Sequence, residues 1–421
     1  MLVNRRDVQI QWGDCDPANI VYYPRYFAMF DDSTSTLFEA AGFSKQDLVR
    51  KYGLLGIPMV DTQLISRQPA GTRAGTKGSN RAIRLWLYLA AAMVFALVVV
   101  GGATRLTESG LSITEWKPIH GIIPPLSAAE WQEEFDLYRQ IPQYQLVNRG
   151  MSLDAFKTIF WWEWAHRFLA RGVGVVFALG LAFFWVTGRL ESRLKPRLLG
   201  ILALGGLQGA IGWWMVASGL TERTDVSQYR LAVHLTTACI IFIATLWVAE
   251  GLRPLRPDAA PSRGSRRMAL AIVFLCLFQI YLGGLVAGLN AGLAYNTWPL
   301  MDGAVVPSGL FSMQPVWHNF FENVKAVQFF HRLGAYLLLT VVIIHAVRCL
   351  RAAPSAHYSL GALWLVGAVV AQAGLGIATL LLHVPIEWAL LHQAGAIGVL
   401  TLSVVHARPM FPRVGAPEGA R

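Results

Sequence analysis

The chain has 421 residues, of which 54% are hydrophobic and only 14% are charged. This balance excludes a disordered or highly charged soluble protein and indicates a membrane protein. The formal net charge of +11 would, taken alone, suit a protein that binds nucleic acid. The charge is distributed as expected for membrane topology, however, so no nucleic-acid partner is expected.

Residues 1–63 differ in character from the rest and predict a short soluble α+β segment, which is followed by a basic linker at 64–83. No secretory signal peptide is expected, because the first 60 residues contain no long apolar run. Beyond the linker, eight apolar runs are each about long enough to cross roughly 30 Å of hydrocarbon. They lie near 85–103, 166–187, 198–217, 231–249, 268–289, 328–347, 359–382 and 388–406.

Basic and acidic residues alternate between the connections of these runs. The linker, the C-terminal segment and every second connection are strongly basic. The remaining four connections together carry 8 basic and 13 acidic residues: 104–163, 218–230, 290–327 and 383–387. Since basic loops stay on the cytoplasmic side, the pattern predicts a multi-pass protein in contact with lipid, with both termini in the cytoplasm.

The four cysteines are Cys15, Cys239, Cys276 and Cys349. Cys15 is predicted to be cytoplasmic, and the other three lie within or at the ends of the apolar runs. None falls in a predicted outer loop, so no structural disulfide is expected.

The membrane part contains an internal repeat. The equivalent pairs are Gly101 and Gly283, Trp116 and Trp298, His166 and His331, Gln208 and Gln372, and His234 and His392. An even number of spans in each half makes the halves parallel repeats, related by an axis along the membrane normal. The sequence therefore predicts two pseudo-symmetric four-helix bundles at 84–250 and 268–407, joined by a cytoplasmic linker at 251–267 and followed by a tail at 408–421.

Four histidines occupy equivalent places in this repeat: His166, His234, His331 and His392. Each lies near the start of an even-numbered span, at the predicted outer side. Two imidazoles that face each other across a bundle can supply both axial ligands of one heme iron. Room for the flat macrocycle is predicted at small residues that follow two of them: Gly172, Gly174, Gly395 and Gly398. A single intramembrane histidine is as often a helix–helix contact, but four that obey the repeat favour ligation, because ionisable groups are costly there.

The other histidines do not follow the repeat. We expect three in loops or at the interface, His120, His318 and His383. The remaining three lie toward the cytoplasmic side and have no partner in the repeat: His345, His357 and His406.

Charged residues accompany the first histidine of each pair. Arg167 and Arg332 are predicted to pair with heme propionates at the outer surface; the alternative is that they extend to the membrane interface. Glu163 lies one helical turn before His166, whereas the second half has Gln328 at the matching position. The acid suits the first half to proton handling or to stabilising a developing cation, and the amide suits the second to a resident cofactor. An ordinary interfacial glutamate is the simpler alternative.

The segments TRLTESGLSITEWKPIHGIIPP, IFWWEWAHRFLARGVG, AGLNAGLAYNTWPLMDG and FFHRLGAY resemble the heme A synthase family, in the form found in alphaproteobacteria and mitochondria. The resemblance covers about residues 82–407 and includes long outer-loop phrases as well as histidines. The chain lacks the cysteine pair that some bacterial relatives carry in their outer loops, which puts a thiol-based step in doubt.

This resemblance implies an oxidoreductase of a bacterial inner (plasma) membrane that converts the C8 methyl group of heme O to a formyl group, giving heme A for cytochrome oxidase. The new oxygen comes from water, and the electrons leave to an acceptor that the sequence does not identify. Heme b is then expected on His331 and His392, substrate heme O near His166 and His234, and a catalytic acid at Glu163. The implied partners are the heme O synthase that supplies the substrate, cytochrome oxidase assembly factors and a second copy of the chain.

The N-terminal stretch WGDCDPANIVYYPRYFAMFDDS resembles the start of hotdog-fold acyl-CoA thioesterases. Asp16 matches the catalytic carboxylate of that family, although Asn19 replaces its usual glycine and the match ends near Asp61. A complete hotdog domain needs about twice this length and several more strands. We therefore expect an incomplete fragment without thioesterase activity.

Two other functions fit parts of the pattern. A non-enzymatic diheme b-type cytochrome would use the same four histidines to carry electrons, but the difference between Glu163 and Gln328 and the long outer loops favour an enzyme. A transporter built from parallel repeats is disfavoured by the scarcity of charged or proline-broken groups at mid-membrane depth.

Overall fold

The computed structural model describes residues 9, 23–42, 44–52, 74–116, 120–253, 261–352 and 356–411. The chain divides into two compact units, Met1–Thr72 and Arg73–Arg421. The described part of the first unit contains two helices, α1 (Tyr23–Ala40) and α2 (Lys45–Tyr52), and no strand, so the predicted β part has no counterpart there. Four residues singled out in the sequence lie outside the described residues: Cys15, Asp16, Asn19 and Asp61.

The described residues of the second unit form ten α-helices. They are α3 (Ala74–Leu106), α4 (Ala128–Tyr138), α5 (Pro142–Leu146), α6 (Leu153–Val186), α7 (Lys195–Ala217), α8 (Gln228–Gly251), α9 (Arg263–Gly288), α10 (Val324–Ala352), α11 (Ala356–Leu381) and α12 (Ile386–Ala407). Eight helices within this described part, α3 and α6 to α12, are long and apolar enough to cross a membrane. This number confirms the predicted all-α polytopic fold.

Helix α6 begins much earlier than the predicted span at 166–187, because its start is polar rather than apolar. The Ser152 hydroxyl accepts a hydrogen bond from the amide of Ala155 and caps the helix, and Asp154 lies in the first turn, where an acid is favourable. His166 therefore lies 13 residues after the first residue of α6, not near the start of its helix.

The early turns of α6 are covered by an outer layer that the second half does not repeat. Helices α4 and α5 contribute to an apolar cluster formed by Leu111, Phe135, Tyr138, Ile141, Phe156, Phe160, Val216 and Val226. The Tyr138 hydroxyl donates to Gln143 and accepts from Asn148, at 3.0 and 2.8 Å. Burial raises the pKa of Tyr138, so the phenol stays neutral under this layer. The corresponding connection between α9 and α10 contains only short 3-10 turns.

The two predicted halves pack into a single unit along a central layer of helices. Within each half the contacts follow the repeat, α3 with α6 and α7 with α8, then α9 with α10 and α11 with α12. Helices α3, α8, α9 and α12 contact one another across the middle. One apolar cluster includes residues from all four, among them Val94, Cys239, Ile272 and Leu400, so both halves share a core.

Glycine allows α8 and α9 to approach closely in this central layer. A Cβ on Gly284 would lie 3.0 Å from the Cα of Ala232, and one on Gly288 would lie 2.6 Å from the Cα of Gln228. Close approach of helix backbones at small residues is the usual way in which membrane helices associate, because lipid provides no hydrophobic drive between them. The contact between the halves therefore depends on side chains that are absent.

We predict that Gly288→Ala destabilises the protein by about 1–3 kcal/mol, because the added methyl group forces the two helix backbones apart. Thermal unfolding in detergent would measure this loss. Gly200→Ala, on α7, is the matched control, since a Cβ there meets nothing within 4 Å. Equal unfolding temperatures for the two variants would contradict the proposed contact.

Candidate heme-binding sites

Each of the four repeat-related histidines packs its ring edge against a glycine of the preceding spanning helix. The rings of His166, His234, His331 and His392 project from α6, α8, α10 and α12. A Cβ on the facing glycine would lie 2.8 Å (Gly101), 2.9 Å (Gly212), 3.3 Å (Gly283) or 2.7 Å (Gly376) from the imidazole Cε1. The same contact thus occurs four times, which supports the predicted equivalence of the four positions.

The rings are placed so that each could still meet a ligand. All four are half-buried, neither sealed in the core nor fully exposed. Of the small residues expected to leave room, Gly174 and Gly398 adjoin open space, and Gly172 meets only Met93, at 3.8 Å. Gly395 has another purpose, because its missing side chain makes space for the amide of Gln372.

A glutamine positions three of the four histidines. Gln208, Gln279 and Gln372 lie four residues before the facing glycines Gly212, Gly283 and Gly376. The Nε2 atoms donate to the backbone carbonyls of His234, His331 and His392 at 2.9, 2.9 and 2.7 Å, and lie 3.1, 3.1 and 3.0 Å from their Nδ1 atoms. These glutamines fix the orientation of the rings that they contact.

His166 has no such glutamine. The position four residues before Gly101 is Leu97, and the Nδ1 atom of His166 is buried without a hydrogen-bond partner among the described residues. The repeat offset of 182 residues pairs Leu97 with Gln279. The spacing of a glutamine four residues before a glycine was therefore visible in the sequence, although our sequence interpretation used only Gln208 and Gln372.

The donor set of these sites fits an iron porphyrin. A histidine that binds iron through Nε2 carries its proton on Nδ1 and needs an acceptor for it. The Oε1 atoms of Gln208, Gln279 and Gln372 are buried and have no partner among the described residues. Rotation of each amide would present that oxygen to the Nδ1 proton, since the two ends of an amide differ only in hydrogen bonding.

Glu163 is part of a buried ion pair that binds the outer loop of the first half. Its side chain is only 3% exposed. Its Oε1 accepts from Nε and Nη2 of Arg167 at 3.1 and 2.7 Å, and its Oε2 accepts from the Ser112 hydroxyl and the Ile113 amide, both at 2.8 Å. Arg167 also donates to the carbonyls of Ile113 and Glu115, at 2.9 and 3.2 Å. The carboxylate is fully hydrogen-bonded and holds the loop over the site.

The second half builds the same structure without the negative charge. Gln328 donates to the carbonyls of Ala291 and Ala294 at 2.8 and 2.6 Å. Arg332 donates to the Gln328 side-chain oxygen at 3.0 Å and to the carbonyl of Tyr295 at 2.9 Å. The two arginines thus contact their own helices and the outer loops, and their predicted pairing with propionates stays a prediction. The halves differ by one charge at otherwise equivalent positions.

The comparisons with known proteins agree over the whole set of spanning helices. The pattern that defines the COX15-CtaA family, described as cytochrome oxidase assembly protein, matches residues 84–404. The chain is 62% identical to the heme A synthase of Sinorhizobium medicae over 83% of this chain and 96% of the relative. It is 63% identical to that of Rhizobium meliloti, over 82% and 94%, and 64% identical to that of a Chelativorans species, over 77% and 90%.

We predict that Gly376→Ala lowers the amount of tightly bound heme several-fold, because the new methyl group occupies the position of the His392 ring edge. The heme absorbance per mole of purified protein would measure this. Gly374→Ala is the matched control on the same helix, because a Cβ there meets nothing within 4 Å. Equal heme content in the two variants would show that His392 is not held in place by this contact.

Proposed function

Because this chain belongs to the COX15-CtaA family of cytochrome oxidase assembly proteins, we propose that it is a heme A synthase, a multi-pass enzyme of a bacterial membrane. The observation that carries the proposal is the similarity to relatives of that name over all eight spanning helices. The chain oxidises the C8 methyl group of heme O to a formyl group, with oxygen from water. This conversion releases four electrons and four protons, so it belongs to the oxidoreductases that act on CH or CH2 groups.

We assign the resident heme b to His331 and His392 and the substrate heme O to His166 and His234. Both histidines of the second half have a glutamine partner, whereas the first half has one only for His234. Outer partners of a ligating histidine raise its affinity for the metal. The fully supported pair suits a cofactor that stays, and the pair with one unsupported ring suits a substrate that must leave after reaction.

The resident heme, when bound, supplies one-electron oxidation and reduction. Glu163 and Arg167 hold the segment around Ser112 and Ile113 over the first-half site and so limit the access of water to it. The negative charge of Glu163 stabilises positive charge that develops on the substrate, or accepts a proton from it. Gln328 can do neither, although it makes the equivalent loop contacts.

The remaining assignments follow from the same proposal. We place both termini in the cytoplasm of a bacterial inner membrane, as the charge of the connections indicates. The substrate comes from a heme O synthase and the product goes to cytochrome oxidase and its assembly factors, and a separate acceptor takes the electrons. Arg167 and Arg332 are assigned to the propionate ends of the two hemes. The principal test is co-expression with a heme O source and chromatography of the extracted hemes; heme B alone would instead indicate a diheme electron carrier.

We predict that Glu163→Gln lowers heme A output by about 100-fold or more, because it removes the charge used in the reaction. The amide also faces either Arg167 or the Ile113 amide with its NH2 group, at a cost of about 1–3 kcal/mol in stability. Extracted hemes would measure output, and heme absorbance would show that the second-half heme is retained. Glu133→Gln, on the exposed side of α4, removes the same charge without contact with the site. Unchanged output in Glu163→Gln would refute its assigned role.

A reciprocal pair of variants tests the assignment of the two halves. Leu97→Gln should strengthen retention of heme in the first half, up to about tenfold, and slow turnover, because it supplies the missing acceptor for His166. Gln279→Leu should instead weaken retention of the second-half heme. Heme content and steady-state turnover of the two purified variants are the measurements. If Leu97→Gln leaves both unchanged, the missing glutamine does not distinguish substrate from cofactor.

A further inference from the structure

A second cluster of metal-binding side chains lies at the opposite end of the second half. It consists of His345 and Cys349 on α10 and His406 on α12, whose exposed fractions are 0%, 1% and 8%. The Nε2 atoms of the two histidines are 2.8 Å apart, and the Cys349 Sγ lies 3.6 Å from the His345 Nε2. The three ligand atoms all lie within 4.8 Å of one another. The proposed reaction does not use any of them.

The repeat does not account for this cluster. His345 and His406 each follow a heme-site histidine, His331 and His392, by 14 residues on the same helix, a distance of about 21 Å along the helix axis. The first half has Gly180 and Val248 at the positions 14 residues after its own histidines. The cluster is also too tight for a second heme, since two axial nitrogens at about 2.0 Å from one iron lie about 4 Å apart.

The cluster leaves one buried polar atom unsatisfied. The Nδ1 of His345 has no hydrogen-bond partner among the described residues. Two neutral imidazoles joined through their Nε2 atoms share one proton, so whichever ring donates it, this Nδ1 is left either as a bare acceptor or as a donor without an acceptor. Such a buried group is unfavourable by about 1–3 kcal/mol. A group maintained at this cost in a buried cluster is better explained by a ligand than by packing.

We propose that His345, Cys349 and His406 form a binding site for monovalent copper. First-row metals lie about 2.0 Å from imidazole nitrogen and about 2.3 Å from thiolate sulfur, so a sulfur and a nitrogen on one ion lie about 3.6 Å apart, as Cys349 and His345 do. The two histidine nitrogens must separate by only about 0.5 Å to reach trigonal or tetrahedral spacing on the same ion.

Charge and ligand number favour Cu(I) over Zn(II). A soft thiolate with two imidazoles is a donor set that selects copper or zinc. Cu(I) and one thiolate make a neutral site, and the thiol proton leaves to solvent at this end of the helix. Zn(II) would leave a net positive charge buried next to Arg348 on the same helix, and it normally takes a fourth ligand that this cluster does not contain.

Titration of the full-length protein, purified without a polyhistidine tag, with Cu(I) buffered by bicinchoninate tests the site. The wild-type protein should bind about one equivalent, and Cys349→Ser and His406→Asn should bind at least about tenfold more weakly. Cys276→Ser and Cys15→Ser are controls, each removing a thiol outside the cluster, and should match wild type. Heme absorbance confirms that each variant is folded.

X-ray absorption of the copper-loaded wild-type protein makes the test independent of variant folding. The proposal predicts one sulfur and two nitrogen ligands. Binding by Cys349→Ser that equals wild type, an equal loss in either control variant, a copper environment without sulfur, or stronger retention of zinc than of copper would each overturn it.

Discussion

The close contact between an imidazole edge and a facing glycine is the constraint on which both heme sites depend. At Gly101, Gly212 and Gly376 a side chain would lie closer to the ring than ordinary contact allows, at 2.7 to 2.9 Å. A ring held against a neighbouring backbone cannot turn freely, so its free nitrogen keeps one direction. The helices that carry the glycines are thus as important to ligand geometry as those that carry the histidines. The repeated glutamine adds direction to position, and where it is missing the ring has only the contact.

The two halves show how an enzyme and a cofactor holder can arise from one scaffold. Glu163 and Gln328 occupy equivalent positions, bind equivalent arginines and attach equivalent loops. The hydrogen bonds run in opposite directions, because the first-half loop presents an amide and a hydroxyl, whereas the second-half loop presents carbonyls. A change of charge in one side chain therefore required a change in the conformation of a loop. The buried ion pair leaves the charge of Glu163 in a region that water would otherwise screen.

Much of this arrangement could be predicted from the sequence, because lipid imposes strong rules. Eight apolar runs and the repeat gave the number of spans, the four histidines and the difference between Glu163 and Gln328. The start of α6 was missed because a helix that projects beyond the membrane is polar, so hydropathy does not mark it, although Ser152 and Asp154 did. The contact of His345 with His406 joins α10 to α12, and no periodicity in one helix predicts which residues of another it meets. The role of Gln279 could have been read from its spacing to Gly283.

The close backbone contact between α8 and α9 has a mechanical consequence. Two halves that share one apolar core and meet where side chains are absent cannot rock against each other without opening voids. Alternating access of the kind that transporters use is therefore unsuited to this fold. Macrocycle exchange must occur at the periphery, by displacement of an outer connection or by sideways passage from the bilayer. A rigid middle also keeps the two iron positions at a constant separation throughout turnover, so the rate of electron tunnelling between them does not vary as substrate arrives and product departs.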